Sequence, residues 1–436
     1  MSKIDFDSFI NKVNGLKLLS AVGQVIDVSG LIIGSNGPKV SVGEVCHLTT
    51  REGKKLTAEV VGFKENKILL MTLADMSGIS SGDIVEASGH TLTVPVSQNL
   101  LGRVLSGLGE PIDGKESLQS DVMSSIYSSS PNPLHRTRIK QSLGVGIKAI
   151  DACMTLGRGQ RIGIFSGSGV GKSTLMGMMA RNTEADVNVI ALVGERGREV
   201  KDFIENSLGE EGLKRSVVVV ATSDQPALIR IKCALTATSV AEYFRDQGKN
   251  VLLMMDSVTR FCMAQREIGL SIGEPPTTKG YPPSVFSMLP RLMERAGTSD
   301  KGSITGIYTV LVDADDFNEP IADACRSILD GHVILDRKIA AKNIWPAVDV
   351  LNSLSRVMPE VVTEEHLQAN YKMRELLATY KEAEDLINIG AYVTGTNSRI
   401  DRAKDKHNDL LNYLRQKVSD NVAFKEDIAA LISLVQ

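Results

Sequence analysis

A glycine-rich segment near the middle of the chain constrains the fold more than any other feature. Residues 166–174 read Ser-Gly-Ser-Gly-Val-Gly-Lys-Ser-Thr, between an apolar run ending at Phe165 and a helical pattern starting near Lys172. Glycines let such a turn aim backbone N–H groups at an anion, and the following helix N-terminus adds a favourable dipole. The segment predicts a phosphate-binding P-loop, although Ser166 replaces the usual first glycine and a chance glycine-rich turn is the alternative.

The P-loop assigns roles to individual side chains. Lys172 reaches the β- and γ-phosphates of a bound nucleotide, and the Ser173 hydroxyl is a ligand for Mg²⁺. A second apolar run ends in Asp256, which predicts a carboxylate that holds the Mg²⁺ shell through water. Apolar runs ending in aspartate are common, so this assignment depends on the P-loop. The nucleotide-binding set comprises Ser166, Gly167, Ser168, Gly169, Val170, Gly171, Lys172, Ser173 and Thr174.

The pattern along the chain predicts an α/β protein with several domains. From about 143 to 360, near-continuous apolar runs alternate with helical patterns, which favours a parallel sheet covered on both faces. Short β-runs before this region predict a small barrel or sandwich, and the pattern after it is helical. With 436 residues the chain is too long for one core. We expect an N-terminal helix over 1–20, a β-barrel over 21–97, a P-loop domain over 98–362 and a helical domain over 363–436.

Composition excludes several classes of protein. The net charge of −3 gives no basic field for nucleic acid, and we expect none to bind. No apolar stretch is long enough to span a bilayer, and the six histidines lack metal-ligand spacing. The five cysteines are widely separated, which is typical of reduced thiols in a cytoplasmic protein.

Hydrolysis of a nucleotide needs a group that orients the attacking water and positive charge for the transition state. Glu195 follows another apolar run, in Gly-Glu-Arg-Gly-Arg-Glu at 194–199, and is our candidate carboxylate. A surface cluster of ion pairs explains the same residues equally well. Arg356 is a candidate arginine finger. Composition does not select it over the alternatives Arg260, Arg291 and Arg326.

These motifs carry a resemblance to a known family. Segments 194–199, 256–261 and 353–356 resemble the catalytic subunits of rotary F/V-type ATPases and their type III export relatives. Lys-Gly-Tyr-Pro-Pro-Ser-Val-Phe at 279–286 and Ser-Ile-Leu-Asp-Gly-His-Val-Ile-Leu-Asp-Arg at 327–337 are similar to flagellar type III export ATPases. The resemblance is strong over about 143–360 and recognisable from about 22 to 436.

The resemblance implies a homohexamer of RecA-like ATPase cores that bind ATP and Mg²⁺ between subunits. One subunit provides Lys172, Ser173, Glu195 and Asp256, and the next provides Arg356. Glu195 becomes the catalytic carboxylate, and the matching motif adds Arg196 to the catalytic set. Trp345 matches the position of an aromatic residue against adenine, although a core tryptophan is the alternative.

The resemblance also implies partners and a location. The barrel forms a ring collar, and the C-terminal helices face a central stalk protein and the membrane proteins of an export gate. The N-terminal helix over 1–20 binds a regulator or peripheral-stalk partner, although packing on its own domain is the alternative. Complexes of export chaperones with their substrates are further partners. We expect a peripheral protein at the cytoplasmic face of the inner membrane.

The function implied is an ATP-driven motor of flagellar protein export that releases chaperones and unfolds substrates. The segments 386–392 and 400–403 favour it over the alternative, a virulence injectisome ATPase. A non-catalytic ring subunit is disfavoured because such subunits commonly have glutamine where this chain has Glu195. A hexameric RNA helicase needs stacking aromatics in its barrel, and 22–96 contains only Phe63. Relatives often have Glu-Gly at Asp313-Ala314, a departure without an assigned effect.

Overall fold

The computed structural model describes residues 22–118, 120, 122–312 and 316–436. The expected N-terminal docking helix and the Asp313-Ala314 departure lie outside the described residues. The chain forms two compact units. One contains the described residues up to Leu92 together with Ile268–Glu274, and the other contains Thr93–Glu267 and Pro275–Gln436.

The first unit contains a closed six-stranded barrel, so the alternative of a sandwich is wrong. Its strands are antiparallel and follow the order β1-β2-β5-β4-β3-β6. Alternate side chains such as Ile33, Leu48 and Leu70 fill the interior. Register shifts occur in β1, β3 and β4, and such bulges bend strands enough for closure. The strands are β1 (Val22–Ser29), β2 (Ile32–Ser35), β3 (Glu44–Thr49), β4 (Lys55–Lys64), β5 (Lys67–Thr72) and β6 (Ile84–Thr91).

The second unit is organised around a mostly parallel sheet of nine strands. Its order is β19-β18-β12-β17-β15-β13-β14-β8, with β16 paired to β17. The central strands are buried along almost their whole length, because helices cover both faces. The strands of this unit are β7 (Thr93–Pro95), β8 (Arg103–Ser106), β9 (Met123–Ser125), β10 (Ser142–Leu143), β11 (Leu156–Gly157), β12 (Arg161–Ser166), β13 (Val187–Glu195), β14 (Ser216–Thr222), β15 (Asn250–Asp256), β16 (Gly297–Thr298), β17 (Ser303–Leu311), β18 (Gly331–Leu335) and β19 (Leu354–Ser355).

Helices connect these strands and form the C-terminal region. Among the described residues, every helix is too short or too polar to cross a lipid bilayer. The helices are α1 (Lys148–Cys153), α2 (Lys172–Asn182), α3 (Gly197–Asp202), α4 (Gly209–Lys214), α5 (Ala227–Asp246), α6 (Val258–Ser271), α7 (Pro283–Met293), α8 (Pro320–Ile328), α9 (Arg337–Ala341), α10 (Met358–Val361), α11 (Glu364–Asn388), α12 (Ser398–Leu414) and α13 (Phe424–Val435). A single π-helical turn, Phe203–Leu208, joins α3 to α4.

The C-terminal helices share one apolar core with the P-loop region. Met373 and Leu376 of α11, Leu410 of α12 and Leu431 of α13 belong to the same buried cluster as Met176 of α2. Polar contacts add to this packing, since the buried Asn370 amide donates to the carbonyls of the segment around Cys153. The helical region is therefore packed directly behind the nucleotide-binding segment.

Candidate active site

The P-loop lies between β12 and α2, as its sequence predicts. Gly169 and Gly171 have φ values of 79° and 82°, a region that favours glycine. The N–H groups from Ser168 to Ser173 make no hydrogen bond to another described residue. These unpaired donors and the start of α2 form a site for a phosphate anion. The buried Ser166 hydroxyl also lacks a partner within the described chain.

Four charged side chains meet beside this loop. The Lys172 ammonium contacts the Asp256 carboxylate and lies 3.9 Å from Glu195 Oε1. Arg260 Nε lies 3.5 Å from the same Glu195 oxygen, and the Arg260 guanidinium also donates to the Gly194 carbonyl. Thr309 Oγ1 donates to Asp256 Oδ1 at 2.7 Å. The cluster places two cationic side chains against two carboxyl groups in a largely buried place.

The sheet explains how distant residues converge here. Glu195 ends β13 and Asp256 ends β15, and these strands are parallel neighbours with Leu192 opposite Asp256. The carboxyl ends of parallel strands meet at one edge, where ligands bind in open α/β sheets. The register of β13 against β14 shifts between Val193 and Glu195, and Gly194 has a φ of 70° at that point. This bulge sets where the Glu195 side chain leaves the strand.

Burial changes the acidity of Glu195. Loss of hydration, followed by the charge of Asp256, raises its pKa from 4.5 to about 7, against the opposing charges of Lys172 and Arg260. Glu195 is only 7% exposed, so solvent screens these charges weakly. Such a pKa suits a group that exchanges a proton with water near neutral pH.

Glu195 is expected to make the nucleotide-free protein less stable as pH rises. Between pH 4.5 and 7 the unfolded chain loses this proton while the folded chain keeps it, so the free energy of unfolding falls through that window. The loss amounts to about 3 kcal/mol at most. Glu195→Gln should therefore exceed the wild type in stability at pH 8, and the gap should close towards pH 5. Urea denaturation across this range measures the gap.

The exposed Glu210 provides the control for this experiment. Glu210→Gln should give a smaller stability difference from the wild type at pH 8 than Glu195→Gln does. A gap for Glu195→Gln that is constant, or that widens towards acid, would contradict the raised pKa.

A cavity of about 350 Å³ adjoins the P-loop. The Trp345 ring packs on the loop so closely that a Cβ added to Gly171 would lie 2.8 Å from it. Trp345 is 39% exposed, and its indole N–H donates to Asn343 Oδ1 at 3.1 Å. The tryptophan therefore lines a pocket and is not enclosed in the core. The lining residues are Gly169, Val170, Gly171, Thr174, Leu175, Met178, Leu335, Trp345, Pro346, Ala347, Gln416 and Val418.

Gln416 and Val418 are among the lining residues of this cavity that the sequence analysis did not assign to the site. Both residues lie beyond α12, which ends at Leu414 within a region where the sequence pattern predicts helices. Arg415 adopts an extended conformation after the helix, and the backbone N–H of Gln416 donates to the Trp345 carbonyl at 2.9 Å. The buried side chain of Gln416 bonds Gly146 and Lys148. No local signal in the sequence distinguishes this segment from a continuing helix.

The two candidate arginines lie away from the charged cluster. The Arg196 side chain is 77% exposed, and its ion-pair partner among the described residues is Glu199. Arg356 follows the edge strand β19, and its N–H donates to the Asp330 carbonyl at 2.9 Å. Instead, Arg260 contacts Glu195, a role that the sequence analysis did not assign. The available signal was its place in the first turn of the helix that follows Asp256, at the carboxyl edge of the sheet.

The site also fits a magnesium ion. Ser173 is exposed at the start of α2, and the Asp256 carboxylate lies beside Lys172, which would contact the phosphates. Hydroxyl and carboxylate oxygens are the donors that this hard cation prefers. The fold and the site together define a P-loop ATPase.

Family models match along most of the chain. Residues 146–355 match the nucleotide-binding domain of the ATP synthase alpha/beta family, and residues 25–89 match the beta-barrel domain of that family. Residues 362–433 match the T3SS EscN ATPase C-terminal domain.

Relatives match over almost the full length. The chain is 58% identical over 414 residues to the flagellum-specific ATP synthase of Bacillus subtilis, covering 94% of each chain. It is 51% identical to the type 3 secretion system ATPase of Xanthomonas euvesicatoria, covering 94% of this chain and 93% of the relative. The structure of the assembled ATPase EscN from enteropathogenic E. coli matches with a TM-score of 0.91 and 46% identity, covering 95% of this chain and 100% of EscN. The chain therefore belongs to the ATP synthase alpha/beta family, among its flagellar and type III secretion ATPases, and it is a nucleotide-binding ATP hydrolase.

Proposed function

We propose that this ATPase drives flagellar protein export by hydrolysing MgATP at sites shared between neighbouring subunits of a homohexamer. One observation carries the shared site. Lys172, Glu195 and Asp256 meet where the parallel strands end. Arg356 lies instead where these strands begin, beside the start of β12. The relatives support the flagellar assignment, since the relative at 58% identity is a flagellum-specific ATP synthase.

The sheet keeps Arg356 away from the P-loop of its own chain. The N–H of Arg356 bonds the carbonyl of Asp330, whose own N–H bonds Arg161 at the start of β12. The P-loop starts at the other end of that strand, about 16 Å away at the rise of an extended strand. This separation exceeds the reach of an arginine side chain. An exposed arginine in this place fits the transition state of a neighbouring subunit.

Each side chain of the cluster has a defined task in hydrolysis. The P-loop N–H groups and Lys172 bind the β- and γ-phosphates, and Trp345 stacks on the adenine at the mouth of the adjoining cavity. Glu195 orients the attacking water and accepts its proton. Arg260 holds the Glu195 carboxylate in place. Ser173 and, through water, Asp256 would hold Mg²⁺, which would neutralise charge on the phosphate oxygens.

Export requires partners, and one surface is suited to the central stalk. The tip between α11 and α12 exposes Leu386, Ile389 and Val393, which are 49%, 75% and 65% exposed. Apolar side chains grouped at a loop tip favour a protein contact. EscN has been solved in complex with its central stalk EscO, and that structure matches this chain with a TM-score of 0.88. We propose that the tip contacts the equivalent stalk.

The remaining partners follow from the same function. We propose that residues 1–20 bind the regulator or peripheral-stalk protein, and that the ring acts at the cytoplasmic face of the membrane. There it meets the export-gate proteins and the complexes of chaperones with their substrates.

Export in cells tests the flagellar assignment. This chain should restore swarming to a Bacillus subtilis strain that lacks its own flagellum-specific ATP synthase, because the two proteins are 58% identical. Lys172→Ala, produced at the same level, should restore much less, since it removes the charge that binds the phosphates. Accumulation of the wild-type chain without any gain in swarming or in secreted flagellin would contradict the flagellar assignment.

A further inference from the structure

A short turn before β12 forms hydrogen bonds and close contacts with the segment that carries Arg356. This turn, Gly157-Arg158-Gly159-Gln160, connects β11 to the strand that ends in the P-loop. The Gln160 side chain is fully buried and makes three hydrogen bonds. Its Oε1 accepts from Gly157 N–H at 2.9 Å, and its Nε2 donates to Ser355 Oγ at 3.0 Å and to the Asp330 carbonyl at 3.3 Å.

Both chain neighbours of Arg356 are fixed by this turn. Ser355 is held by Gln160 and donates to the Thr155 carbonyl at 2.9 Å. Val357 packs on Gly157 so closely that a Cβ added to that glycine would lie 2.8 Å from Val357 Cγ1. The Asp330 carbonyl that receives Gln160 also receives the Arg356 N–H.

These contacts fix the backbone of Arg356, whose side chain is exposed. The exposed Arg356 guanidinium has no hydrogen-bond or ion-pair partner among the described residues, so the position of its backbone sets the region that the side chain can reach. The same turn continues into β12, which leads to the P-loop of this chain. Strand β12 therefore connects the nucleotide site of a subunit to the turn that holds Arg356, the arginine that acts on the neighbouring subunit.

We propose that Gln160 is a positioning residue for the arginine finger, acting through Ser355 and Asp330 on the site of the adjacent subunit. This inference rests on the proposed function, in which Arg356 acts between subunits. Displacement of a reacting group by about 1 Å costs about 10²-fold in rate. Gln160→Met keeps the volume of the side chain and removes its hydrogen bonds. It should lower ATP turnover about 10²-fold while nucleotide binding by its own P-loop stays unchanged.

Mixing Gln160→Met subunits with Glu195→Gln subunits shows whether Gln160 acts on the nucleotide site of the neighbouring subunit or on the site of its own subunit. In mixed rings, a Gln160→Met subunit retains Glu195 and receives a correctly placed Arg356 from a Glu195→Gln neighbour. Single-turnover hydrolysis should therefore reappear on mixing. If Gln160 only supported its own P-loop, both kinds of site would stay inactive and mixing would restore nothing.

The positive control distinguishes failure of this inference from failure of the proposed function. Arg356→Ala mixed with Glu195→Gln must regain hydrolysis, and its failure would overturn the shared site itself. Rescue in that pair but none with Gln160→Met would overturn the positioning role alone. A second test is the double variant Gln160→Met/Arg356→Ala, which should turn over no more slowly than Arg356→Ala, since both changes act on one group. A further loss in the double variant would contradict the inference.

Two more variants test whether Gln160→Met acts only by destabilising the subunit. Ser355→Ala removes the group that Gln160 holds and changes little volume, so it should give the same rescue if Gln160→Met folds poorly. Gln265→Met makes the same substitution at another buried glutamine, whose amide donates to Ser284 Oγ at 3.1 Å. Gln265→Met should show no defect that Glu195→Gln can rescue. Rescue of Gln265→Met would mean that mixing merely stabilises damaged subunits, which would overturn the interpretation.

Discussion

Glu195→Gln is expected to bind ATP and to hydrolyse it about 10³-fold more slowly than the wild type, the size of effect typical of a lost catalytic base. Glutamine keeps the shape of the side chain, so packing against Arg260 and the P-loop survives. It cannot take a proton from water. Steady-state phosphate release measures turnover. The fluorescence of Trp345, the only tryptophan, measures binding because its ring lies on the P-loop.

The binding measurement makes this prediction specific to chemistry. Removing a negative charge beside the phosphates should leave ATP affinity equal to or higher than that of the wild type. Glu210→Gln, on an exposed helix, should match the wild type in both measurements. Near-normal turnover in Glu195→Gln would remove Glu195 from the mechanism, and loss of binding would make it a structural residue.

The residues whose positions in the fold the sequence predicts correctly belong to local patterns. The P-loop needs only a strand, glycines and a helix in succession, and the structure has β12, the turn and α2 in those places. Asp256 and Glu195 end apolar runs, and parallel strands bring such ends together without further information. The short β-runs before the P-loop domain are also a local pattern, and they predicted a small barrel or a sandwich.

The parts that the sequence does not predict depend on contacts between distant segments. Arg260, in place of Arg196, contacts Glu195 because α6 begins directly behind the bulge at Gly194. Gln416 reaches the nucleotide cavity because its amide bonds α1, which is more than 260 residues earlier. Gln160 holds Ser355 across almost 200 residues. Each is a polar residue in an ordinary local pattern, so only the folded chain reveals its partner.

An equal mixture of Glu195→Gln and Arg356→Ala is expected to hydrolyse ATP although each variant alone is nearly inactive. Loss of an arginine finger costs about 10³–10⁵-fold in rate. In random closed rings, about a quarter of the sites pair an intact Glu195 with an intact Arg356 from the neighbour. Single-turnover hydrolysis, with ATP below the concentration of sites, detects these sites even if the ring cannot cycle. The recovered activity should rise with protein concentration, because it requires assembly.

The position of Arg356 lets the mixing experiment distinguish a site shared between two subunits from a site contained within one chain. Arg356 lies beside Asp330, at the edge of the sheet opposite the P-loop, so a self-contained site cannot use it. Arg260→Ala provides the comparison, because Arg260 contacts Glu195 within one chain. Its mixture with Glu195→Gln should stay inactive, since each subunit keeps one defect in its own site. If neither mixture recovers hydrolysis although the variants fold, bind nucleotide and assemble together, Arg356 is not the finger. If both recover, the division of the site between subunits is wrong.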